Sequence, residues 1–395
     1  MTRKLQSITS RKGPAILAVA ALLVLWQGLS LSGLVPGYML PPTMKKQIKI
    51  SDYIKIGSLP TGKYNKITDV KGVRVGHSTI KNDQSHTGVT VVLPSEKNVF
   101  TNKLEAAAYV LNGYGKSAGL IQIEELGLLE APIALTNTLN VGKVLDGMLD
   151  YMIDISAQED VLIYSINIPV LECNDSEINN IRNRAVETEH VLKAIDDACE
   201  DFEEGDVGGG TGMKCHGFKG GIGSSSRIIN LGGKDYTIGV LVQTNHGACE
   251  DFRIDGKKIG KKILEDMEAS TLSEKGSVIV IVATDIPMSS RQLKRILKRV
   301  DVGLIRNGSY TTHGSGEVFI AFSTANVHPK GEPEFYTGTY LNDDYINPVF
   351  KAVGEATEEA VINAMLNADS TTTLTGHTVH SLNEYLDIII DEFKE

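Results

Sequence analysis

The chain has 395 residues, 42% of them hydrophobic and 22% charged, with 39 glycines and a net charge of −10. This is the composition of a globular protein large enough for one big α/β domain or two smaller ones, and it excludes disorder, collagen-like repeats and a disulfide scaffold. The acidic balance, with no long basic block, also disfavours sequence-independent nucleic-acid binding, which needs cations to displace counterions from phosphates. Cys173, Cys199, Cys215 and Cys249 form no Cys-x-x-Cys pair. Zinc-ribbon and thioredoxin-type readings therefore lack support, and either a reducing compartment or free buried thiols are expected.

Residues 1–43 differ in kind from the rest of the chain. Arg3, Lys4, Arg11 and Lys12 precede a charge-free run from Pro14 to Thr43. A basic start before such a run reads as a signal peptide or a single membrane anchor. The string LLVLWQGLSLSGLVPGYMLPP resembles the opening of the first membrane helix of nitrate/sulfonate-type ABC transporter permeases. No second apolar span of ~20 residues occurs after it, which excludes a complete permease. From Met44, MKKQIKISDYIKIG reads as the ordinary start of a soluble protein. The expectation is an apolar leader over 1–43, either an anchor or a misassigned start, before one domain over 44–395. The domain is expected in the cytoplasm unless 14–34 is a genuine membrane segment.

Beyond the leader, short β-rich runs alternate with helical stretches. Val73–Val75 and Val89–Leu93 are β-branched runs bounded by turn residues, whereas Leu104–Leu111 and Val141–Met152 have helical spacing. Val161–Ile168 and Tyr236–Gln243 read as buried strands. Glu187–Phe202 reads as an amphipathic helix with Val191, Leu192, Ile195 and Cys199 on its apolar stripe. Val278–Val282 is the continuous β-branched run of a strand covered on both faces. Ser289 or Ser290 is placed to cap a helix carrying Leu293, Ile296, Leu297 and Val300. Val318–Phe322 predicts another strand and Lys351–Leu366 another helix. No linker divides the region, so a layered α/β sandwich fits better than two domains.

The glycine cluster GDVGGGTGMKCHGFKGGIGSSSR (205–227) satisfies neither the phosphate-loop nor the dinucleotide signature and reads as a long loop with close backbone approaches. His377-x-x-His380 lacks a His-Glu-x-x-His context and reads as structural or solvated. Asp146, Asp150 and Asp154, four apart, read as one solvated helix face. Gly276-Ser277, however, opens the strand VIVIVATD. A hydroxyl residue after glycine at the mouth of a buried strand is what intramolecular backbone cleavage requires, because glycine can adopt the strained conformation involved. Cleavage would expose a Ser277 α-amine, and an α-amine of ordinary pKa ~7.7–8 suits a general base. Ser315 and Glu317, two apart before the strand VFIAF, would share one face in extended geometry and could relay a proton. The competing reading of that pair is a polar strand start in solvent.

Taken together, GVRVGHSTI (72–80), TGVTVVLP (87–94), PIALTNTLNVG (132–142), the 205–227 cluster, VLVQTNHG (240–247), GSVIVIVATDIPM (276–288), RNGSYTTHGSGEVFIAFSTAN (306–326) and HTVH (377–380) resemble the DmpA-type peptidases. These are the L-aminopeptidase/D-amino-acid esterase and β-peptidyl aminopeptidase enzymes. The resemblance runs in order from about residue 60 to 385. It implies an αββα sandwich of the DmpA/ornithine-acetyltransferase type, similar to N-terminal-nucleophile hydrolases. It also implies self-cleavage between Gly276 and Ser277 into 44–276 and 277–395, which stay associated. Ser277 would be the nucleophile, Ser315 and Glu317 would assist proton movement, and Asn245 would stabilise the oxyanion. The implied activity is release of an N-terminal amino acid from short peptides, amides or esters through an acyl-Ser277 intermediate. No cofactor or metal is expected, and the assembly expected is a homo-oligomer, a tetramer of cleaved pairs. The family tyrosine expected near Glu172–Ile178 has no counterpart there; Tyr114 and Tyr164 are the candidates to replace it. Rival readings are an ornithine acetyltransferase-like acyl transferase, disfavoured because that family uses threonine where this chain has Ser277, a membrane-tethered binding or accessory protein, and a catalytically silent homologue.

Overall fold

The computed structural model describes residues 47–267, 276–331 and 334–394. The expected leader over 1–43 lies outside them. Among the described residues no helix is long and apolar enough to cross a membrane.

In chain order the strands are β1 Arg74–Lys81, β2 His86–Leu93, β3 Asn102–Gly113, β4 Leu128–Leu129, β5 Ile133–Asn137, β6 Val170–Cys173, β7 Lys214–Cys215, β8 Phe218–Lys219, β9 Ile222–Leu231, β10 Lys234–Asn245, β11 Ser277–Thr284 and β12 Gly316–Pro329. The helices are α1 Leu120–Leu126, α2 Val141–Gln158, α3 Thr188–Asp196, α4 Ile259–Met267, α5 Ser290–Leu297, α6 Val300–Arg306, α7 Asn347–Leu366 and α8 Leu386–Lys394. Two main sheets form, one in the order β1-β2-β5-β6 and the other β4-β3-β12-β11-β10-β9, and short strands pair in twos, β7 with β8 and Thr371–Thr372 with Thr378–Val379. Strand alternation sorts the side chains into three apolar cores. Val75, Val92, Leu135 and Leu171 of the small sheet meet Ile279, Ile281, Ile320 and Phe322 of the large one between the sheets. The opposite face of the large sheet, with Val278, Val280 and Phe319, packs on Leu293, Ile296, Leu304 and Val353 of α5, α6 and α7. The outer face of the small sheet, with Val89, Val91 and Val170, packs on Val144 and Met148 of α2 and Val191 of α3. The result is the expected αββα sandwich.

β11 pairs with β10 antiparallel and with β12 parallel, so it is covered on both faces and both edges, as its unbroken β-branched run predicts. Ser289 caps α5 in a capping box with Gln292, whose backbone N–H donates to the Ser289 hydroxyl at 3.4 Å while Ser289 N–H donates to Gln292 Oε1 at 3.1 Å. α7 is buried nearly all round. The ion pairs of Arg227 on β9 with Glu355 (3.3 Å) and Glu359 (2.7 Å) accommodate its buried carboxylates.

Three expectations need correction. Leu104–Leu111 is not a helix but the middle of β3. Its three alanines favour helix locally, yet Ala106 and Ala108 face the inter-sheet core and Ala107 the outer core, and pairing with β12 overrides propensity. Val161–Ile168 is not a strand: it is irregular chain in which Val161, Ile163 and Ile166 lean on the α2 core while Leu162 and Tyr164 are exposed. The helix expected over 187–202 ends at Asp196, because Cys199 then pairs its backbone with Val75 (3.0 and 3.1 Å) as an extension of β1. Leu192 and Cys199 are exposed, and only Val191 and Ile195 of the expected stripe are buried.

Candidate active site

The strand registers gather the site at one end of the sandwich. Ser277, the first residue of β11, lies opposite Asn245, the last of β10, and beside Gly316, the first of β12. Glu172 and Cys173 close the end of β6. A cavity of about 620 Å³ opens here, lined by Ser277, Gly276, Asn245, Glu172, Asn174 and Thr138, among others.

Gly276 does not have the positive φ expected for a strained glycine. Its need is steric: a Cβ there would lie 1.8 Å from the Asn245 carbonyl oxygen. The Asn245 side chain is fixed at both ends. Its amide donates to the Asn174 carbonyl oxygen at 2.9 Å and its Oδ1 accepts from Lys214 N–H at 3.2 Å. One amide N–H is thus committed and the group is held at the cavity wall.

Ser315 and Glu317 are buried, which rejects the solvated strand start, and the Ser315 hydroxyl donates to the Glu317 carboxylate. In the register they flank Gly316, the residue beside Ser277. Asn112, opposite Glu317 on β3, donates to the carbonyl oxygens of Ser315 (2.5 Å) and Thr312 (3.0 Å) and so fixes the turn that presents the pair.

The remaining wall went unpredicted. Glu172 is buried, accepting from Lys116 N–H at 2.8 Å and from the Thr138 hydroxyl. The Cys173 thiol is a hydrogen-bond neighbour of the Ser277 side chain, and burial, then the nearby Glu172 charge, pushes its pKa well up. Lys214 and Glu177 form an ion pair on the cavity rim. The signal for Glu172 was available: it is one acid inside the apolar run ending at Cys173, where water cannot solvate it cheaply. Of the two candidate tyrosines, Tyr114 lines the cavity, whereas Tyr164 is 89% exposed and lines a separate one. Asn174 stands on the 172–178 segment, where the resemblance led us to expect a tyrosine.

The glycine-rich segment is a scaffold for this wall. The buried Lys219 ammonium donates to the carbonyl oxygens of Gly220 (2.7 Å), Met213 (2.9 Å) and Gly210 (3.3 Å), and burial lowers its pKa to about 8. Residues read as bystanders stay so. Asp146, Asp150 and Asp154 are exposed on α2, and His380 pairs with Glu384 at 2.7 Å away from the cavity. All four cysteines are free.

The chain is similar to known proteins. Residues 65–379 match the model of peptidase family S58. The β-peptidyl aminopeptidase BapA of Sphingosinicella xenopeptidilytica is 37% identical over 336 residues, covering 79% of this chain and 83% of that protein. The crystal structure of the PH0078 protein of Pyrococcus horikoshii OT3 superposes with a TM-score of 0.82 at 46% identity, over 87% of this chain and 98% of the other. The L-aminopeptidase D-Ala-esterase/amidase of Ochrobactrum anthropi, described as a variant of the Ntn hydrolase fold, gives 0.80 at 33% identity, over 88% and 99%. With the sandwich and the serine-headed strand already in place, these matches establish that the chain belongs to peptidase family S58 and is a hydrolase of the serine aminopeptidase type.

Proposed function

We propose that the protein activates itself by cutting its own Gly276–Ser277 bond and then uses Ser277 to release N-terminal residues from short peptides, amides or esters. The observation that carries this reading is the position of Ser277: first residue of a strand buried along its length, on the floor of a cavity, with Asn245 on one side and the Ser315–Gly316–Glu317 turn on the other.

In the first step the Ser277 hydroxyl oxygen attacks the Gly276 carbonyl carbon, the C–N bond breaks to an ester, and water hydrolyses the ester to a Gly276 carboxylate and a free Ser277 amine. In turnover the same oxygen attacks the substrate carbonyl while its proton passes to the new α-amine. Asn245 donates its remaining amide hydrogen to the oxyanion. The hydrogen-bonded Ser315 and Glu317 hold the amine side of the site and take part in proton movement. The leaving amine departs with a proton, and water releases the acyl group from Ser277. The Glu172 carboxylate, buried on the cavity wall, is the group placed to pair with the substrate's α-ammonium.

The assembly we infer is a homo-oligomer of cleaved pairs, four in number by resemblance. The free thiols fit a reducing, cytoplasmic setting.

Intact mass of the purified protein beside Ser277→Ala tests the reading. Two pieces in the wild type, the second beginning at Ser277, and a single piece in the variant are expected. A single uncut species in both overturns it.

A further inference from the structure

One group of side chains beside the catalytic wall has no part in the mechanism. Cys215, His216 and His246 are buried, and one ligand atom from each lies within 4.8 Å of the others. They come from two places brought together by backbone pairing, His216 N–H donating to the His246 carbonyl oxygen at 2.7 Å. Cys215 and His246 both line the cavity that holds Ser277.

The polar atoms of this group are poorly used. The His216 Nδ1–H donates to the Ala248 carbonyl oxygen at 3.2 Å, which leaves Nε2 as the nitrogen with the lone pair, and that atom is buried with no hydrogen-bond partner. His246 turns Nδ1 toward the Cys215 sulfur at 3.9 Å, and its Nε2 is likewise buried and unpartnered. Orphaned buried nitrogens are costly. A histidine whose other ring nitrogen donates to a backbone carbonyl is oriented as metal-ligating histidines usually are. The backbone is fitted around the rings as well: Gly247 has φ +83°, and a Cβ there would lie 2.2 Å from His216 Nδ1.

We propose that Cys215, His216 and His246 form a site for one thiophilic divalent cation of the Zn²⁺ class, and that a cation bound there inhibits the peptidase. A tetrahedral Zn²⁺ with bonds of ~2.0–2.3 Å needs its nitrogen and sulfur ligands ~3.3–3.6 Å apart. From separations of up to 4.8 Å, the ligand atoms close on a cation by ~1.2–1.5 Å at most, within reach of side-chain adjustment. Three protein ligands leave the fourth position to a water or a substrate atom, and the ligands that line the cavity place that position on the cavity side. On binding, the Cys215 thiol gives up its proton to solvent and the sulfur donates its lone pair to the metal; no redox change occurs. The bound cation sits one residue from Asn245 and one from Lys214, the two groups whose hydrogen bond fixes the proposed oxyanion donor. Binding does not depend on the assignment of Ser277, whereas inhibition does.

The experiment is titration of the metal-free full chain with Co²⁺ and then Zn²⁺. Expected are one equivalent bound, a thiolate-to-Co²⁺ charge-transfer band with the d–d bands of a tetrahedral ion, displacement of both by Zn²⁺, and release of one proton per metal. Cys215→Ser and His246→Asn should each weaken binding by ~100-fold or more, beyond the ~10–100-fold typical of losing an outer-shell partner. Cys199→Ser, at an exposed thiol remote from the cluster, should bind as the wild type does. Zn²⁺ should abolish hydrolysis of an aminoacyl p-nitroanilide, with recovery on adding a chelator. Absence of the charge-transfer band in the wild type overturns the site whether or not the variants fold. Undiminished binding in folded Cys215→Ser does the same, and stoichiometric binding without loss of activity overturns the inhibition.

Discussion

The sandwich buries polar side chains in two contrasting places, and it treats the two differently. On the α7 side, Arg227 is enclosed by Glu355 and Glu359 and also donates to the carbonyl oxygens of Ile56 (2.9 Å) and Ser226 (2.8 Å). Nothing there opens onto a cavity among the described ones. At the head of β11, Glu172 and Asn245 are equally well buried, but each also faces the cavity. The same desolvation cost is offset in the first case by partners within the protein, and in the second it is left in part for a substrate to offset. Closed polar clusters hold the fold and open ones serve chemistry.

That contrast can be broken by mutation. Ser277→Ala should remove at least ~10⁴-fold of activity, the scale on which losing a nucleophile acts, while leaving the melting temperature near that of the wild type. A large stability loss would mean Ser277 is a structural strand residue. Arg227→Met should do the reverse. It strands two buried carboxylates at a cost of about 3–5 kcal/mol, read by denaturant unfolding, while the folded fraction keeps its kcat. Asn245→Ala should lower kcat by ~10²–10³-fold, the usual loss for one oxyanion donor; an effect confined to KM would reassign Asn245 to binding. Glu172→Gln should raise KM for substrates with a free amine by ~10–100-fold, since a hydrogen bond to a charged group is worth ~1.5–3 kcal/mol. The KM for N-acetylated substrates should be unchanged.

The smallest effect concerns acid. His77 accepts from Thr90 Oγ1 at Nδ1 (2.9 Å) and donates from Nε2 to the Glu203 carbonyl oxygen (3.0 Å), and Thr90 in turn accepts from Gly209 N–H. Burial lowers its pKa to about 4. The unfolded chain takes up this proton near pH 6.5 and the folded chain only near pH 4, so stability is lost as pH falls through that window. By pH 5 the loss is about 2 kcal/mol at ~1.4 kcal/mol per unit. Asp175 works against it: burial raises its pKa to about 6, so it favours the folded state as pH falls from 6 toward 4. His77→Gln should therefore flatten the acid limb of a stability profile, and an unchanged limb would put the acid sensitivity elsewhere.

Much of this was legible in the sequence because the pattern and the environment agreed. The run 278–282 could only be a strand buried on both faces. The capping Ser289 and the i, i+2 spacing of Ser315 and Glu317 carry their geometry in local order. What could not be read depends on remote partners. Ala106–Ala108 are helix formers until β12 lies beside them, and Val161–Ile168 is strand-like until α2 takes up its apolar side chains. Glu172, Thr138 and Lys214 reach the cavity from separate elements, and no spacing in the chain announces that meeting.

The strand order carries one more consequence. Cutting before Ser277 would give a second piece that contributes β11 and β12, and these lie in the middle of the large sheet, between β3 and β10 of the first piece. The products would be interleaved like the fingers of two hands rather than docked face to face. Parting them means tearing two hydrogen-bonded ladders at once. Folding is a one-body problem before the cut and a two-body problem after it. The mature enzyme should therefore tolerate dilution well while folded, yet recover poorly after denaturation, so that its lifetime is set by an unfolding rate instead of an equilibrium.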